Sequence, residues 1–191
     1  LSIVQISTLV SMFFIGAIIL QFPIGWISDR MDRRLLILIC AAICAFGAVL
    51  GSLFTASFPM LLVAALLIGG MSNPLYSLLI AYTNDFLDRD DMAAAAGGLL
   101  FINGLGAVAG PVITGWMMGV FGPRGFFIYI AILCAAMVIY AAYRMTQRKS
   151  TPVEETESFT AVLPSASPMA VTFAQEYDYE VAQEDADDRA A

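Results

Sequence analysis

Sixty per cent of this 191-residue chain is apolar and 13% is charged, whereas about a quarter of the residues of a soluble domain are charged. Together with a mean hydropathy of +0.81, this composition excludes an ordinary soluble globular protein. The net charge of -7 is the sum of +2 over residues 1–149 and -9 over residues 150–191. The acidity therefore belongs to a tail and indicates no substrate class.

In chain order, five apolar stretches have about the length, roughly 20 residues, that crosses a bilayer as a helix. One such stretch would fit the core of a soluble protein, but five in series predict an all-α, polytopic membrane bundle. The predicted spans are residues 5–27, 35–54, 58–82, 93–120 and 126–143. The domain prediction is a membrane domain over 1–149 followed by an acidic, disordered tail over 150–191.

The chain begins inside an apolar stretch, with no initiator Met and no basic segment typical of a signal peptide. We interpret it as part of a longer protein whose N-terminal part is missing. Alternate loops carry seven Lys or Arg residues on one side against Arg124 alone on the other. Because basic loops stay in the cytoplasm, we expect a multi-pass protein of the inner or plasma membrane with a cytoplasmic C-terminus.

A cluster of charges separates the first two predicted spans. Between Gly25 and Arg34, the turn carries three arginines and two aspartates. A charge cluster at the end of a membrane helix favours a gating role. An alternative is that Arg33 and Arg34 serve only as topology anchors.

Polar side chains are concentrated in spans one, three and four, whereas spans two and five are almost wholly apolar. Polar groups are costly against lipid, so we expect these three spans to line a solute path and spans two and five to form an outer layer. The candidate path residues are Gln21, Asn73, Tyr76 and Asn103. Each asparagine could instead bond a neighbouring helix.

No Asp, Glu, Lys or Arg lies in the middle of a predicted span. Since proton-coupled carriers use titratable groups inside the membrane, a coupling proton would need a group in the missing part or Asp85 at the end of span three. With no His in the chain and no nucleophile paired with a base, we expect no enzyme activity and no catalytic residue. We also expect no metal, cofactor or nucleic-acid partner.

Span four is rich in glycine, and small residues let helices approach closely. The predicted packing face consists of Gly106, Gly110, Pro111 and Gly115. Gly104-Leu-Gly106 also begins a loose dinucleotide-binding pattern, but that motif needs a strand before it and an acidic residue about 20 positions after it. Neither condition is met, so an oxidoreductase is not favoured.

The pattern Gly25-x-x-x-Asp29-Arg30-x-Asp32-Arg33-Arg34 resembles the loop motif of the major facilitator superfamily, Gly-x-x-x-Asp-Arg-x-Gly-Arg-Arg/Lys. In that family the motif joins the second and third helices of each six-helix half. The resemblance implies that residues 1–149 are helices 8 to 12 of a twelve-helix, bacterial-type member. Its N-terminal half would then be a partner of this chain.

The resemblance also implies roles for the motif residues. Asp29 would face a helix of the N-terminal half, and an arginine, Arg30 by position, would approach Asp85. The chain departs from the motif at Asp32, where the family usually has Gly, and this departure puts a tight turn in doubt. The Gly106 to Gly115 pattern is similar to one found on helix 5 of family antiporters, but Thr114 replaces a glycine of that pattern.

The predicted function is that of a secondary transporter, a permease that moves a small solute through the bilayer by alternating access, with or without a coupling proton. The gating residues would be Gly25, Asp29, Arg30, Arg33, Arg34 and Asp85. The alternative is a multi-span sensor or assembly partner that transports nothing and acts through its cytoplasmic tail.

Overall fold

The structure, a computed structural model, describes residues 1–85 and 89–147, apart from the side chains of 84, 89–94 and 96. The described residues form five helices, each long and apolar enough to cross a membrane. They are α1 (Ile3–Ser28), α2 (Arg33–Leu53), α3 (Phe58–Asn84), α4 (Arg89–Phe121) and α5 (Arg124–Gln147). The predicted all-α class with five membrane helices is confirmed. The predicted tail lies outside the described residues.

Most helix ends lie up to four residues outside the predicted spans, whereas α2 ends one residue earlier than predicted. Ser2 begins α1 with a capping box, in which its hydroxyl and the Gln5 side chain each accept a backbone N–H of the other residue. Between α4 and α5, Gly122 has a φ of +66°, a conformation that favours glycine. Its carbonyl accepts the N–H of Gly125 at 2.9 Å, which closes the turn.

The five helices pack in a series that differs from their order in the chain. α1 packs on α3, α3 on α2, α2 on α5, and α5 on α4. The core lies where α2 and α3 meet, around Cys40, Ala41, Cys44, Ala64, Ile68 and Leu78. α2 turns the small residues Cys40, Ala41 and Cys44 inward and exposes large ones, among them Ile39 and Phe46, on the opposite face. α1 and α4 therefore lie at the two ends of the series, and α4 has the least buried span of the five.

Glycine sets the distance between α1 and α3. A Cβ added at Gly69 would overlap the carbonyl of Phe13, and one added at Gly16 would overlap the carbonyl of Leu66. The two backbones are therefore in direct contact, as small residues allow in membranes. Neither glycine belongs to the face that the sequence singled out.

The glycine face of α4 is open in the described part of the chain. A Cβ added at Gly106, Gly110 or Gly115 would meet nothing within 4 Å, and Pro111 on the same helix is exposed. The helix that this face was expected to contact is thus not one of α1, α2, α3 or α5. Packing at this face stays a prediction.

We expect Gly69→Ala to destabilise the bundle by about 1–3 kcal/mol, the usual range for overpacking, because the new methyl group collides with the Phe13 carbonyl. The free energy of unfolding in mixed detergent and SDS micelles measures this effect. Gly119→Ala is the matched control, since that position is open and alanine favours a helix. Equal stability of the two variants would contradict the close α1–α3 contact.

Candidate functional site

The charged turn joins α1 to α2 through only four residues, from Asp29 to Asp32. The N–H of Asp29 ends α1 by donating to the Gly25 carbonyl at 3.3 Å. Gly25 itself is buried in the last turn of α1. Asp32 begins α2 as its N-cap, with its carboxylate accepting the N–H of Arg34 at 2.9 Å. The turn is therefore fixed at both ends by hydrogen bonds of its own residues.

Arg33 and Asp85 form an ion pair between α2 and α3. Arg33 Nη1 lies 2.6 Å from Asp85 Oδ1, and each side chain is only 2% exposed. The same nitrogen donates to the Ala81 carbonyl at 3.3 Å, and Arg33 Nη2 lies 3.8 Å from Asp29 Oδ1. One guanidinium thus connects the end of α1, the start of α2 and the end of α3. Removing one partner of a buried pair leaves a buried charge uncompensated, which is strongly destabilising.

The expectation that Arg30 approaches Asp85 is wrong. Arg30 turns back along α1, where its Nη1 donates to the Trp26 carbonyl at 2.9 Å and its guanidinium lies 4.1 Å from the centre of the Trp26 ring. Within the described ranges it forms no ion pair. The reason is geometric: Arg30 is in the turn and exposed, whereas Arg33 is in the first turn of α2 and directed at α3.

The expectation that Asp32 disfavours a tight turn is also wrong. Asp32 has φ -55° and ψ 113°, a conformation open to any L-residue, and Asp is among the preferred N-cap residues. Its carboxylate also holds the Arg34 side chain, with Asp32 Oδ2 at 3.2 Å from Nη2 and Oδ1 at 3.3 Å from Nε. The added negative charge therefore lies at the N-terminus of α2, where it interacts favourably with the helix dipole, and it is balanced by Arg34.

Ser28 is a residue of this site that sequence reasoning missed. Its side chain is fully buried at the end of α1, and its hydroxyl has no hydrogen-bond partner among the described residues. The only sequence signal was its position directly before the Asp29-Arg30 pair of the motif.

The four candidate path residues are each half-buried, and helix contacts indicate their relative depths. Arg33 at the start of α2 meets Asp85 at the end of α3, so α1 and α3 run parallel and α4 runs against them. Two contacts show which residues of the three helices lie at the same depth: Gly16 on α1 contacts α3, and Ile80 on α3 contacts Leu99 on α4. At 1.5 Å per residue, the four path residues fall in a layer about 5 Å thick, which lies about 14–18 Å from Asp85.

Two other polar side chains of α1 form hydrogen bonds with their own helix. The hydroxyls of Ser7 and Thr8 donate to carbonyls of their own helix, Ile3 at 3.1 Å and Val4 at 2.8 Å. Such bonds satisfy a hydroxyl without a partner helix. Polarity in a span is therefore only a partial guide to a path.

Prolines interrupt the same three helices, and the carbonyls that they leave without a helical donor lie at one depth. Pro23, Pro74 and Pro111 lie inside α1, α3 and α4, whereas α2 and α5 contain none. Each proline lacks the N–H that would bond the carbonyl four residues earlier. The three carbonyls, of Ile19, Gly70 and Ala107, fall by the same count within a layer about 3 Å thick. This layer lies directly beside that of the path residues, on the side away from Asp85.

The fold and site define a polytopic membrane bundle with a buried ion pair at one end and a neutral polar layer inside. The chain belongs to the Major Facilitator Superfamily, whose sequence profile matches residues 1–175. The match includes all five helices and extends into the residues after α5.

Relatives in this family are named as transporters. An uncharacterised transporter of the family in Bacillus subtilis, YfkF, is 32% identical over 164 residues, which are 83% of this chain and 40% of YfkF. Another from the same organism, YfiU, is 26% identical over 86% of this chain and 32% of its own length. A triacylglyceride transporter of Mycobacteroides abscessus is 30% identical over 62% of this chain and 23% of its own length. The chain thus spans less than half the length of these relatives.

A double-mutant cycle identifies the arginine that pairs with Asp85. We expect Arg33→Ala or Asp85→Ala alone to cost about 3–5 kcal/mol of unfolding free energy, and the double variant to cost much less than the sum. Arg30→Ala is the matched control. Because Arg30 bonds Trp26 of its own helix and forms no ion pair among the described residues, its effect should add to that of Asp85→Ala. Additive effects for Arg33 and Asp85, measured by unfolding in SDS, would contradict the ion pair.

Proposed function

We propose that this chain is part of a secondary transporter that moves a small solute across the membrane by alternating access, without chemistry on the solute. The observation that carries the proposal is the buried ion pair that Arg33, a residue of the family's loop motif, forms with Asp85 at the end of α3. A topology anchor has no need of burial, since its charge belongs among the lipid headgroups. The 2% exposure of Arg33 therefore favours a gating role for this residue.

The proposed gate lies on the cytoplasmic side. Its location rests on the excess of basic residues in the loops at that end. Of the carboxylates in the three ion pairs, that of Asp29 has the largest exposed fraction, 38%. It would meet the positive end of a helix of the N-terminal half. Such a contact stabilises by about 0.3–1 kcal/mol, so the gate would bias the equilibrium between states rather than lock it.

In the proposed cycle, the cluster keeps the cytoplasmic side shut while the outer side is open. Rocking of the two halves then separates Asp29 from its partner and opens the path to the cytoplasm. The Arg33–Asp85 pair, lying within this chain, keeps the ends of α2 and α3 together throughout. It therefore positions Asp29 instead of breaking in each cycle.

The proposed path for the solute is the layer of Gln21, Asn73, Tyr76 and Asn103. These groups both donate and accept hydrogen bonds, which suits a polar or zwitterionic solute at the depth where transporters hold substrates. If each amide only bonded a neighbouring helix, the polar residues of different helices would not need to lie at a similar depth. Their common layer therefore favours a path. The N-terminal half would supply the opposite wall and any group that binds a coupling proton.

The gate is tested with a reporter cysteine in the whole transporter. Gln21→Cys, in a background with Cys40, Cys44 and Cys134 replaced by Ala, is exposed to an impermeant maleimide from the cytoplasmic side. We expect Asp29→Ala to raise the labelling rate about two- to fivefold. This range corresponds to losing the contact worth about 0.3–1 kcal/mol, since 1.4 kcal/mol is a factor of ten. Arg124→Ala is the control, because it removes a charge at the opposite end of the bundle, where Arg124 bonds Thr55, and it should leave the rate unchanged. No change with Asp29→Ala would remove this residue from the gate.

The path is tested by access of water to single cysteines in the same background. We expect cysteines at positions 73, 76 and 103 to react with a charged, water-soluble thiosulfonate. The matched control is Ile39→Cys, which lies at about the same depth on the exposed apolar face of α2 and should not react. If the control reacts as fast as the three path positions, no aqueous path lies along them.

A further inference from the structure

Two of the three cysteines touch each other across the α2–α5 contact. The thiol of Cys134 on α5 donates to Cys44 Sγ on α2, with the two sulfurs 3.1 Å apart. Cys44 is 2% exposed and Cys134 is 9% exposed, and both are free thiols. A disulfide bond is about 2.05 Å long, so a shift of about 1 Å would join them.

The place of this pair is set by packing that small residues permit. The ring of Phe127 on α5 lies on Gly51 of α2, where a Cβ would overlap it. Two turns further along α5, Cys134 reaches the α2 face that carries Cys44. Cys44 is near the middle of α2 and Cys134 near the middle of α5. The two thiols therefore lie deep in the hydrocarbon layer, away from both surfaces.

The surroundings restrict the chemistry open to the pair. Forming a charge in hydrocarbon is costly, which disfavours the usual attack of a thiolate on an oxidant. Transfer of a hydrogen atom creates no charge. An oxidant must also arrive through lipid, and next to Cys134 the side chains of Ile132 and Leu133 are 56% and 51% exposed on the outside of α5.

We propose that Cys44 and Cys134 form an intramembrane dithiol that reduces organic peroxyl radicals and becomes a disulfide between α2 and α5. Two radicals each remove one hydrogen atom from a thiol. Two S–H bonds break, two O–H bonds form in the resulting hydroperoxides, and the two sulfur atoms pair their remaining electrons in one S–S bond. The peroxyl radicals are reduced, the dithiol is oxidised, and no proton is released.

This role is independent of the proposed transport function. None of the candidate path residues lies on α2 or α5, and neither helix contains one of the prolines. A covalent link between these two helices therefore joins elements that already pack together. The link would stabilise the protein by restricting its unfolded chain. This effect is larger for longer closed loops, and here 90 positions separate the two cysteines.

The experiment uses the whole transporter in aerated liposomes with a lipid-soluble azo initiator, which supplies peroxyl radicals. After alkylation and trypsin digestion, we expect a linked pair of peptides, 35–89 with 125–144, two hydrogens lighter than the sum of the reduced peptides. A lipid-soluble fluorescent peroxyl probe should be consumed more slowly while the dithiol lasts. The oxidised protein should unfold in SDS at a higher midpoint, and tributylphosphine should reverse the shift.

Cys40 provides the matched control, since it is as buried as Cys44 and lies one helical turn away in the same peptide. Cys40→Ala should keep the linked peptides, while Cys44→Ala and Cys134→Ala should lose both the link and the delay in probe consumption. Absence of the link in the unmodified protein would overturn the proposal. So would a link that persists in Cys44→Ala through Cys40, or an unfolding midpoint that oxidation leaves unchanged.

Discussion

The buried pair of Arg33 and Asp85 is the interaction on which the charged end of this bundle depends. In a membrane protein, burying a guanidinium is costly unless its charge is paired. Here the Asp85 carboxylate balances the charge of Arg33, and Arg33 Nη1 donates to both Asp85 and the Ala81 carbonyl of α3, while Asp29 is close by on α1. The pair therefore determines how three helix ends lie relative to one another, and the position of Asp29 follows from it.

Away from that end, the helices are held by close contact. Lipid tails are as apolar as leucine, so association in the membrane relies on packing and hydrogen bonds. The contacts at Gly16, Gly69 and Gly51 are of this kind. α4 has few such contacts in the described residues, although large side chains such as Phe101 and Trp116 are exposed on it. In lipid this exposure carries no hydrophobic cost, so α4 can remain in place with little burial.

The sequence predicted the class, the number of helices and the motif because these depend on local properties: apolar length, loop charge and residue order. It did not predict which arginine reaches Asp85, because that depends on the direction in which α2 leaves the turn. Asp32 was misjudged for a related reason, since its value as an N-cap appears only once the helix start is known. The glycine contacts of α1 with α3 were missed because Gly69 stands in an apolar run that lacks the repeated glycines of α4. The depth of the polar layer likewise required the helix contacts.

The prolines of α1, α3 and α4 have a mechanical consequence. A straight helix resists bending because a bend stretches the hydrogen bonds on its outer side, and each of these helices already lacks one such bond at the same depth. Their ends nearest Asp85 can therefore tilt together, about a common plane, without breaking a further bond. α2 and α5 contain no proline and keep all their helical hydrogen bonds, so they are the stiff helices relative to which the other three would tilt.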